Sequence, residues 1–475
     1  MELSVDLNHA PAGVRHIHIM GICGTGMAAL AGMLKDAGFT VSGSDKAVYP
    51  PMSLFLEGIG IHPRDGYGAQ NLEPRPDLVI VGNVITRKNP EAIALAKAEI
   101  PYLSFPQALA HFFIRSKTSL VVAGTHGKTT TSSLLASCLH RAELDPSFMI
   151  GGIVREFDAN FRLGKGNHFV SEGDEYDTAF FDKESKFLHY WPDIAIITSV
   201  EFDHADIFAD LEAIKRSFKK FVSLLPADGL IVAHLDDANV REVVEDAPCE
   251  VQGYGKNKDL HWSLDNVRAE GGMTRFTARL RGQHWADLEV RLPGVHNCLN
   301  GLAVAAVLHR IGVAPTTINR GLSRFGGIKR RQEVRGVING VTVIDDFAHH
   351  PTAVRETLKA LKAAYPGQRL VTVFEPRTNS SRRAIFQNDY VSCFDPSELT
   401  FIREPVPLDT VPGDQLFSAE RLAADLRARG LSARSCPDTD IILEELLPLL
   451  QENDVVAILS NGGFDNIHTR LLEKL

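Results

Sequence analysis

Ser119-Leu120-Val121-Val122-Ala123-Gly124-Thr125-His126-Gly127-Lys128-Thr129-Thr130-Thr131 decides the fold. Leu120 to Ala123 has the length and unbroken hydrophobicity of a strand buried on both faces. A short glycine-containing loop follows. Lys128 or Thr129 then opens a helix carried by Leu134, Leu135 and Leu139. Strand, loop, Lys-Thr and helix together make a phosphate cradle. Backbone N–H groups and the helix N-terminus face an anion, Lys128 reaches the terminal phosphates, and Thr129 offers its hydroxyl to Mg²⁺. The common pattern G-x-x-x-x-G-K-[ST] is not met, because Val122 stands where its first glycine belongs. A bare Gly-Lys-Thr turn is the competing account, but a turn alone does not need the preceding strand.

Around this stretch, 475 residues allow two to four domains with sizeable cores. With 44% hydrophobic and 23% charged residues, the chain has a globular composition. A net charge of −9 argues against a broad nucleic-acid footprint, so anionic ligands must be held by local Lys and Arg. The six cysteines are scattered without C-x-x-C spacing, which fits a reducing compartment and argues against a disulfide framework or a zinc site. No long apolar span or signal peptide precedes the first strand. The expected address is cytoplasmic, with no membrane partner and residues 1–13 as a loose tail. Oligomeric state is not readable.

The fold class expected is α/β in three domains: a Rossmann-like N-terminal domain (1–117), a central domain of the P-loop ATPase type (118–326) and a Rossmann-like C-terminal domain (327–475). In the first, a strand at 14–20 runs into Gly21-Ile22-Cys23-Gly24-Thr25-Gly26-Met27 and a small-residue helix. A second strand ends at Ser44-Asp45. A nucleotide phosphate can sit at such a helix N-terminus, with Asp45 placed to meet a ribose hydroxyl. Cys23 occupies the slot of the second glycine in the dinucleotide fingerprint, so a nicotinamide domain and a mere tight turn both remain open. A third strand, 77–82, ends at Asn83. Ligand is expected at these strand ends, on Gly24 to Met27, Ser44, Asp45 and Asn83.

In the central domain, strand 169–171 leads into Glu172-Gly173-Asp174-Glu175, and Glu172 is the expected Mg²⁺ ligand, against a solvated acidic turn. Strand 193–198 leads into Glu201-Phe202-Asp203-His204, where His204 is expected as a second metal ligand. Lys215 is left as a surface lysine. His296, Asn297 and Asn300 share one helical turn suited to reading a purine, with a helix N-cap as the rival role for Asn297. Residues 228–290 read as a β-rich excursion without chemistry. In the third domain, strands end at Asp345-Asp346, at Glu375-Pro376-Arg377-Thr378-Asn379 and at Ser460-Asn461-Gly462-Gly463-Phe464. Arg377 beside Asn379 is placed to hold a carboxylate, whereas Arg382 and Arg383 read as surface charge.

Taken together, these stretches resemble the muramyl (Mur) ligases of bacterial cell-wall synthesis, from about residue 15 to the end. Gly124 to Thr130 is similar to that family's own phosphate loop. Glu172, His204, His296-Asn297 with Asn300, Lys329-Arg330-Arg331 and Asp345-Asp346-Phe347-Ala348-His349-His350-Pro351 match its further motifs. The resemblance implies an ATP- and Mg²⁺-dependent ligase that forms a C–N bond on UDP-N-acetylmuramate through an acyl phosphate. It implies ATP on Gly124 to Thr130, His296, Asn297, Asn300, Arg331 and Asp346, and metal on Thr129, Glu172 and His204. It also implies UDP-sugar on the first-domain residues. Val48 to Ser53, Phe374 to Asn379 and Ser460 to Phe464 resemble the branch that adds recycled L-alanyl-γ-D-glutamyl-meso-diaminopimelate in peptidoglycan recycling. A ligase of free L-alanine, a nicotinamide-dependent dehydrogenase and a non-catalytic nucleotide sensor are the alternatives.

Overall fold

The computed structural model describes residues 3–50, 52–270, 273–408 and 411–475. The strand expected at 119–123 runs Thr118–Ala123 inside a ten-stranded sheet. It lies parallel to Ile194–Ile197 on one side and to His168–Gly173 on the other. Its side chains alternate between two cores, which is why the run is apolar at every position. Leu120 and Val122 pack with Leu134, Leu135 and Leu302 on one face. Val121 and Ala123 pack with Ile197, Ile214 and Phe218 on the other. The following helix runs Lys128–Arg141.

Residues 228–290 are not an excursion. Leu230–His234 pairs in parallel with Ile194–Ile197, and Glu250–Gly255 pairs in parallel with Leu230–His234. Three further strands, Trp262–Glu270, Met273–Leu280 and Gln283–Val290, complete the same sheet, joined to one another as antiparallel neighbours. The strand ends at 234 and 255 therefore open on the same edge as the phosphate loop.

The first domain is a five-stranded parallel sheet in the spatial order Arg64–Asp65, Thr40–Asp45, His16–Met20, Leu78–Val81, Tyr102–Ser104. The order reverses beside His16–Met20, so the loop from Gly21 to Gly26 sits at a topological switch point. Residues 3–13 are not loose: Asn8 donates to Tyr102 O (3.0 Å) and accepts from Gln107 Nε2 (2.9 Å). Met1 and Glu2, and Pro51 within the stretch from Val48 to Ser53, lie outside the described residues.

The third domain has six strands in the order Glu333–Ile338, Val341–Asp346, Val455–Leu459, Leu370–Phe374, Leu399–Arg403, Ser432–Cys436, antiparallel only at the first pair. It is stitched to the central sheet at the joint expected near residue 327. Arg155 N donates to Gly327 O (3.1 Å), and Lys329 N to Ile153 O (3.0 Å).

Candidate active site

The phosphate loop is laced to the segment after the neighbouring strand. Thr125 N donates to Ser199 O (2.9 Å), His126 N to Ser199 Oγ (3.0 Å), and Glu201 N to Thr125 Oγ1 (2.8 Å). The helix that opens at Lys128 has Gly127 as its N-cap, at φ +78°, and no side chain caps it. Its first-turn N–H groups are left for an anion.

Beneath the loop lies a buried charge pair. Lys128 Nζ donates to both oxygens of Glu175 (2.8 and 3.0 Å) and to Gly124 O (2.6 Å). Burial alone would discharge Lys128, but the Glu175 carboxylate outweighs it and holds the ammonium above its usual value. Burial likewise opposes ionisation of Glu175, and Lys128 and His204 overcome it, leaving the carboxyl below its usual range. His204 Nε2 faces Glu175 Oε1 at 3.2 Å, and that contact lifts His204 against its burial. Glu175 is one residue that sequence reasoning misses, because four acids fall between 172 and 177 and nothing local ranks them.

Glu172 stands where expected. Thr129 Oγ1 donates to its Oε1 (2.9 Å), and Gly151 N donates to its Oε2 (2.7 Å). This hydroxyl and carboxylate form an all-oxygen set that suits a hard cation such as Mg²⁺. His204 pairs with Glu175 rather than with Glu172 in this arrangement.

Between the central and third domains lies a cleft of about 570 Å³. His126, Gly127, Thr129, Thr130, His296, Asn297, Asn300, Arg331 and Asp346 all line it. Gly124, Thr125 and Lys128, also expected on ATP, do not line it; Lys128 Nζ is turned to Glu175 and Gly124 O instead. Asn297 is not a helix N-cap, since the helix Val295–Arg310 starts after Gly294; its amide donates to Pro293 O (2.7 Å). Burial pushes His296 down to about 4, so this imidazole is neutral at ordinary pH. Arg331 Nη2 reaches Thr129 Oγ1 at 3.3 Å, carrying a third-domain cation to the phosphate loop. Asp346 accepts from Gln332 N and Ala348 N, both at 2.8 Å, and so fixes the backbone around Arg331. His234, Asp236, Tyr254 and Lys256 also line the cleft. They sit at or just beyond the carboxyl ends of Leu230–His234 and Glu250–Gly255, which was the signal available had those strands been placed in the main sheet.

In the first domain, Gly24, Thr25 and Gly26 are exposed at an uncapped helix N-terminus, Met27 is buried behind them, and Asn83 is exposed nearby. Two expected ligand residues are otherwise engaged. Ser44 is fully buried and its hydroxyl donates to Glu91 Oε1 (2.6 Å). Asp45 accepts from Cys23 N (2.8 Å) and Lys46 N (2.7 Å), so it braces the loop. In the third domain, Arg377 is half exposed and lies over Gly462, where a Cβ would fall 2.2 Å from Arg377 Cδ. Asn379 is tied across domains, donating to Asp206 Oδ2 (3.0 Å). Arg382 is not merely surface charge: its guanidinium reaches Asn379 Oδ1 (3.2 Å) and Val406 O (3.2 Å). Lys215 is buried between Glu212 (2.9 Å) and Glu242 (2.8 Å), which corrects its reading as a surface lysine.

Three family descriptions match consecutive parts of the chain: Mur ligase family, catalytic domain, at 16–117; Mur ligase middle domain, at 122–308; and Mur ligase, glutamate ligase domain, at 330–462. This chain belongs to the Mur ligase family. Members of the family are ATP-dependent ligases, so the expected enzyme class and three-domain α/β fold stand. A relative from Escherichia coli K12, named UDP-N-acetylmuramate–L-alanyl-gamma-D-glutamyl-meso-2,6-diaminoheptandioate ligase, is 40% identical over 97% of this chain and 98% of its own. The protein of the same name from Haemophilus influenzae is 37% identical over 97% and 99%. UDP-N-acetylmuramate–L-alanine ligase of Geobacter sulfurreducens is 34% identical over 97% and 98%. Among solved structures, a murein peptide ligase from Psychrobacter arcticus 273-4 superposes with TM-score 0.71 at 35% identity, covering 97% of this chain and 98% of that one.

Proposed function

We propose that this protein joins UDP-N-acetylmuramate to the tripeptide L-alanyl-γ-D-glutamyl-meso-diaminopimelate, using ATP in the cytoplasm to recycle cell-wall peptide. The observation that carries the chemistry is the contact of Arg331 with Thr129, which brings two domains onto one phosphate loop beside Glu172. The substrates are those in the names of the relatives at 40% and 37% identity.

A carboxylate resists amine attack because oxide would have to leave. An oxygen of the lactoyl carboxylate attacks the γ-phosphorus of ATP, and ADP departs. The peptide's free amine then attacks the acyl carbon, losing a proton, and phosphate leaves as the amide forms. The chain's part is to place charges and compensate them. Arg331 and the first-turn N–H groups of Lys128–Arg141 face the phosphates, and Lys128, held by Glu175 beneath the loop, adds its charge from behind. His296, Asn297 and Asn300 hold the base, and the Gly24–Met27 end of the first domain holds the uridine nucleotide. Thr129 and Glu172 would hold Mg²⁺, which supplies charge neutralisation on the phosphates when bound.

The peptide brings several carboxylates. Supporting its place on the third domain, Arg377, Arg382 and Arg383 gather after strand Leu370–Phe374, and buried polar atoms there, Arg382 Nε, Arg383 Nε and Asn461 Oδ1, have no hydrogen-bond partner among the described residues. The deciding experiment is an ATP- and UDP-N-acetylmuramate-dependent screen of amine acceptors, following phosphate release with products identified by mass spectrometry. Tripeptide should be consumed in preference to L-alanine. Exclusive use of free L-alanine would replace this reading with that of the alanine-adding relatives.

A further inference from the structure

A second set of metal donors stands at the rim of the nucleotide cleft, apart from Thr129 and Glu172. One ring nitrogen each of His126 and His350 and a carboxylate oxygen of Glu201 all lie within 4.8 Å of one another. His126 Nε2 donates to Glu201 Oε2 at 3.1 Å, a proton that an incoming ion would replace as the ring takes its other tautomer, and His350 Nδ1 is 3.7 Å from the same oxygen. We propose that these three side chains form a binding site for a borderline transition-metal ion, Zn²⁺ or Co²⁺ by class, which pins the third domain to the phosphate loop.

Metal–ligand bonds of roughly 2.0–2.2 Å in a tetrahedral site place neighbouring donor atoms about 3.3 Å apart. The two separations to Glu201 Oε2, 3.1 and 3.7 Å, bracket that value. The ring orientation of His350 is already set. Its Nε2 lies 3.2 Å from Phe202 O, and a carbonyl only accepts, so the proton sits on Nε2 and Nδ1 is the unprotonated nitrogen, 3.7 Å from Glu201 Oε2. A histidine that gives its other ring N–H to a backbone carbonyl is the usual outer support of a metal ligand. Thr352 N competes for Nδ1, at a long 3.3 Å. Thr352 Oγ1 in turn holds Glu201 Oε2 at 2.7 Å, fixing the carboxylate between the two rings. Two imidazoles and one carboxylate select a borderline ion over Mg²⁺, which prefers oxygen.

The donors come from different domains. His126 lies in the phosphate loop and Glu201 follows strand Ile194–Ile197, whereas His350 caps the third-domain helix Pro351–Ala364. An ion held here would keep the cleft shut, and Zn²⁺ would act as a reversible brake on a cycle that must open to release product.

The test is equilibrium dialysis of the full-length protein against Zn²⁺ in excess Mg²⁺, with bound metal counted by elemental analysis and Co²⁺ replacement read by visible absorption. A single tightly held Zn²⁺ per chain and a tetrahedral Co²⁺ band are expected. His350→Asn keeps an N-cap acceptor while removing the imidazole, and Glu201→Gln keeps the shape while removing the charge. Each should weaken Zn²⁺ by more than the roughly 10–100-fold that loss of an outer support costs, with native circular dichroism. Glu172→Gln should retain the ion. Zn²⁺ held equally by His350→Asn and Glu201→Gln, or no binding at micromolar Zn²⁺, would overturn the proposal. Small-angle scattering supplies a readout independent of activity: Zn²⁺ should suppress domain opening in the parent protein and not in His350→Asn.

Discussion

Gly124 carries φ +138°, and a Cβ there would fall 2.0 Å from Thr198 Oγ1 and 3.0 Å from Ser199 N. The loop approaches the neighbouring strand end so closely that only glycine fits. Gly124→Ala should therefore lower the melting temperature and weaken nucleotide binding together, measurable by thermal melts with and without an ATP analogue. An unchanged melt would show that Thr198 can yield. Lys128 is different in kind, because its partner Glu175 is buried at 2% side-chain exposure. Lys128→Ala should cut ligation by at least about 10²–10³-fold, the scale of losing one preorganised charge contact, while UDP-N-acetylmuramate still binds by calorimetry. Turnover at the parental rate would remove Lys128 from the phosphate site.

At the scale of elements, the first domain is held by one buried carboxylate. Glu91, in the first turn of helix Pro90–Ala98, accepts from His18 Nε2 (2.8 Å), Ser44 Oγ (2.6 Å), Asn71 Nδ2 (2.6 Å) and Gly68 N (3.1 Å). It thus ties a helix, two strands and a loop behind the expected UDP-sugar end. Burial opposes its ionisation, but the hydrogen bonds from His18, Ser44 and Asn71 outweigh burial and set the carboxyl below 4.5. A lowered carboxyl contributes its full stabilisation above the unfolded value and loses it as pH falls through the folded one. Glu91→Gln should melt earlier than the parent at pH 7, and that gap should narrow as pH drops below about 4.5, read by melts across pH. A gap that widens in acid would refute the linkage. None of this is legible in the sequence. Ser44 was expected to face ligand from its strand-end position, yet Glu91 lies 47 residues away and carries no local signal of burial. By contrast, Leu120 to Ala123 and the glycine loop were legible because their chemistry is local. The strands at 230–234 and 250–255 were not placed, since periodicity marks a strand but not which sheet it joins.

For the whole molecule, function depends on how the third domain meets the central one. Thr352 Oγ1 reaches Glu201 Oε2 (2.7 Å), Ala205 N reaches Ser380 Oγ (3.1 Å), Asn379 Nδ2 reaches Asp206 Oδ2 (3.0 Å), and Arg331 Nη2 reaches Thr129 Oγ1 (3.3 Å). Each of these four is a polar contact, while Phe202 beside Phe386 and Ile328 in the central core add apolar contact at the joint. Such a seam can part and re-form in turnover, because its donors and acceptors are also satisfied by water when apart. Arg331 alone among these reaches the phosphate loop itself, so its loss separates closure from folding. Arg331→Ala should weaken ATP by roughly tenfold or more, the worth of one charge-assisted hydrogen bond, while UDP-N-acetylmuramate affinity stays unchanged in calorimetry. Hydrogen exchange should report the same division: with nucleotide bound, the Asp346 to Thr352 segment is protected in the parent and exchanges faster in the variant. Equal protection in both proteins would mean that closure is driven by the other seam contacts and that Arg331 acts only after the cleft has shut.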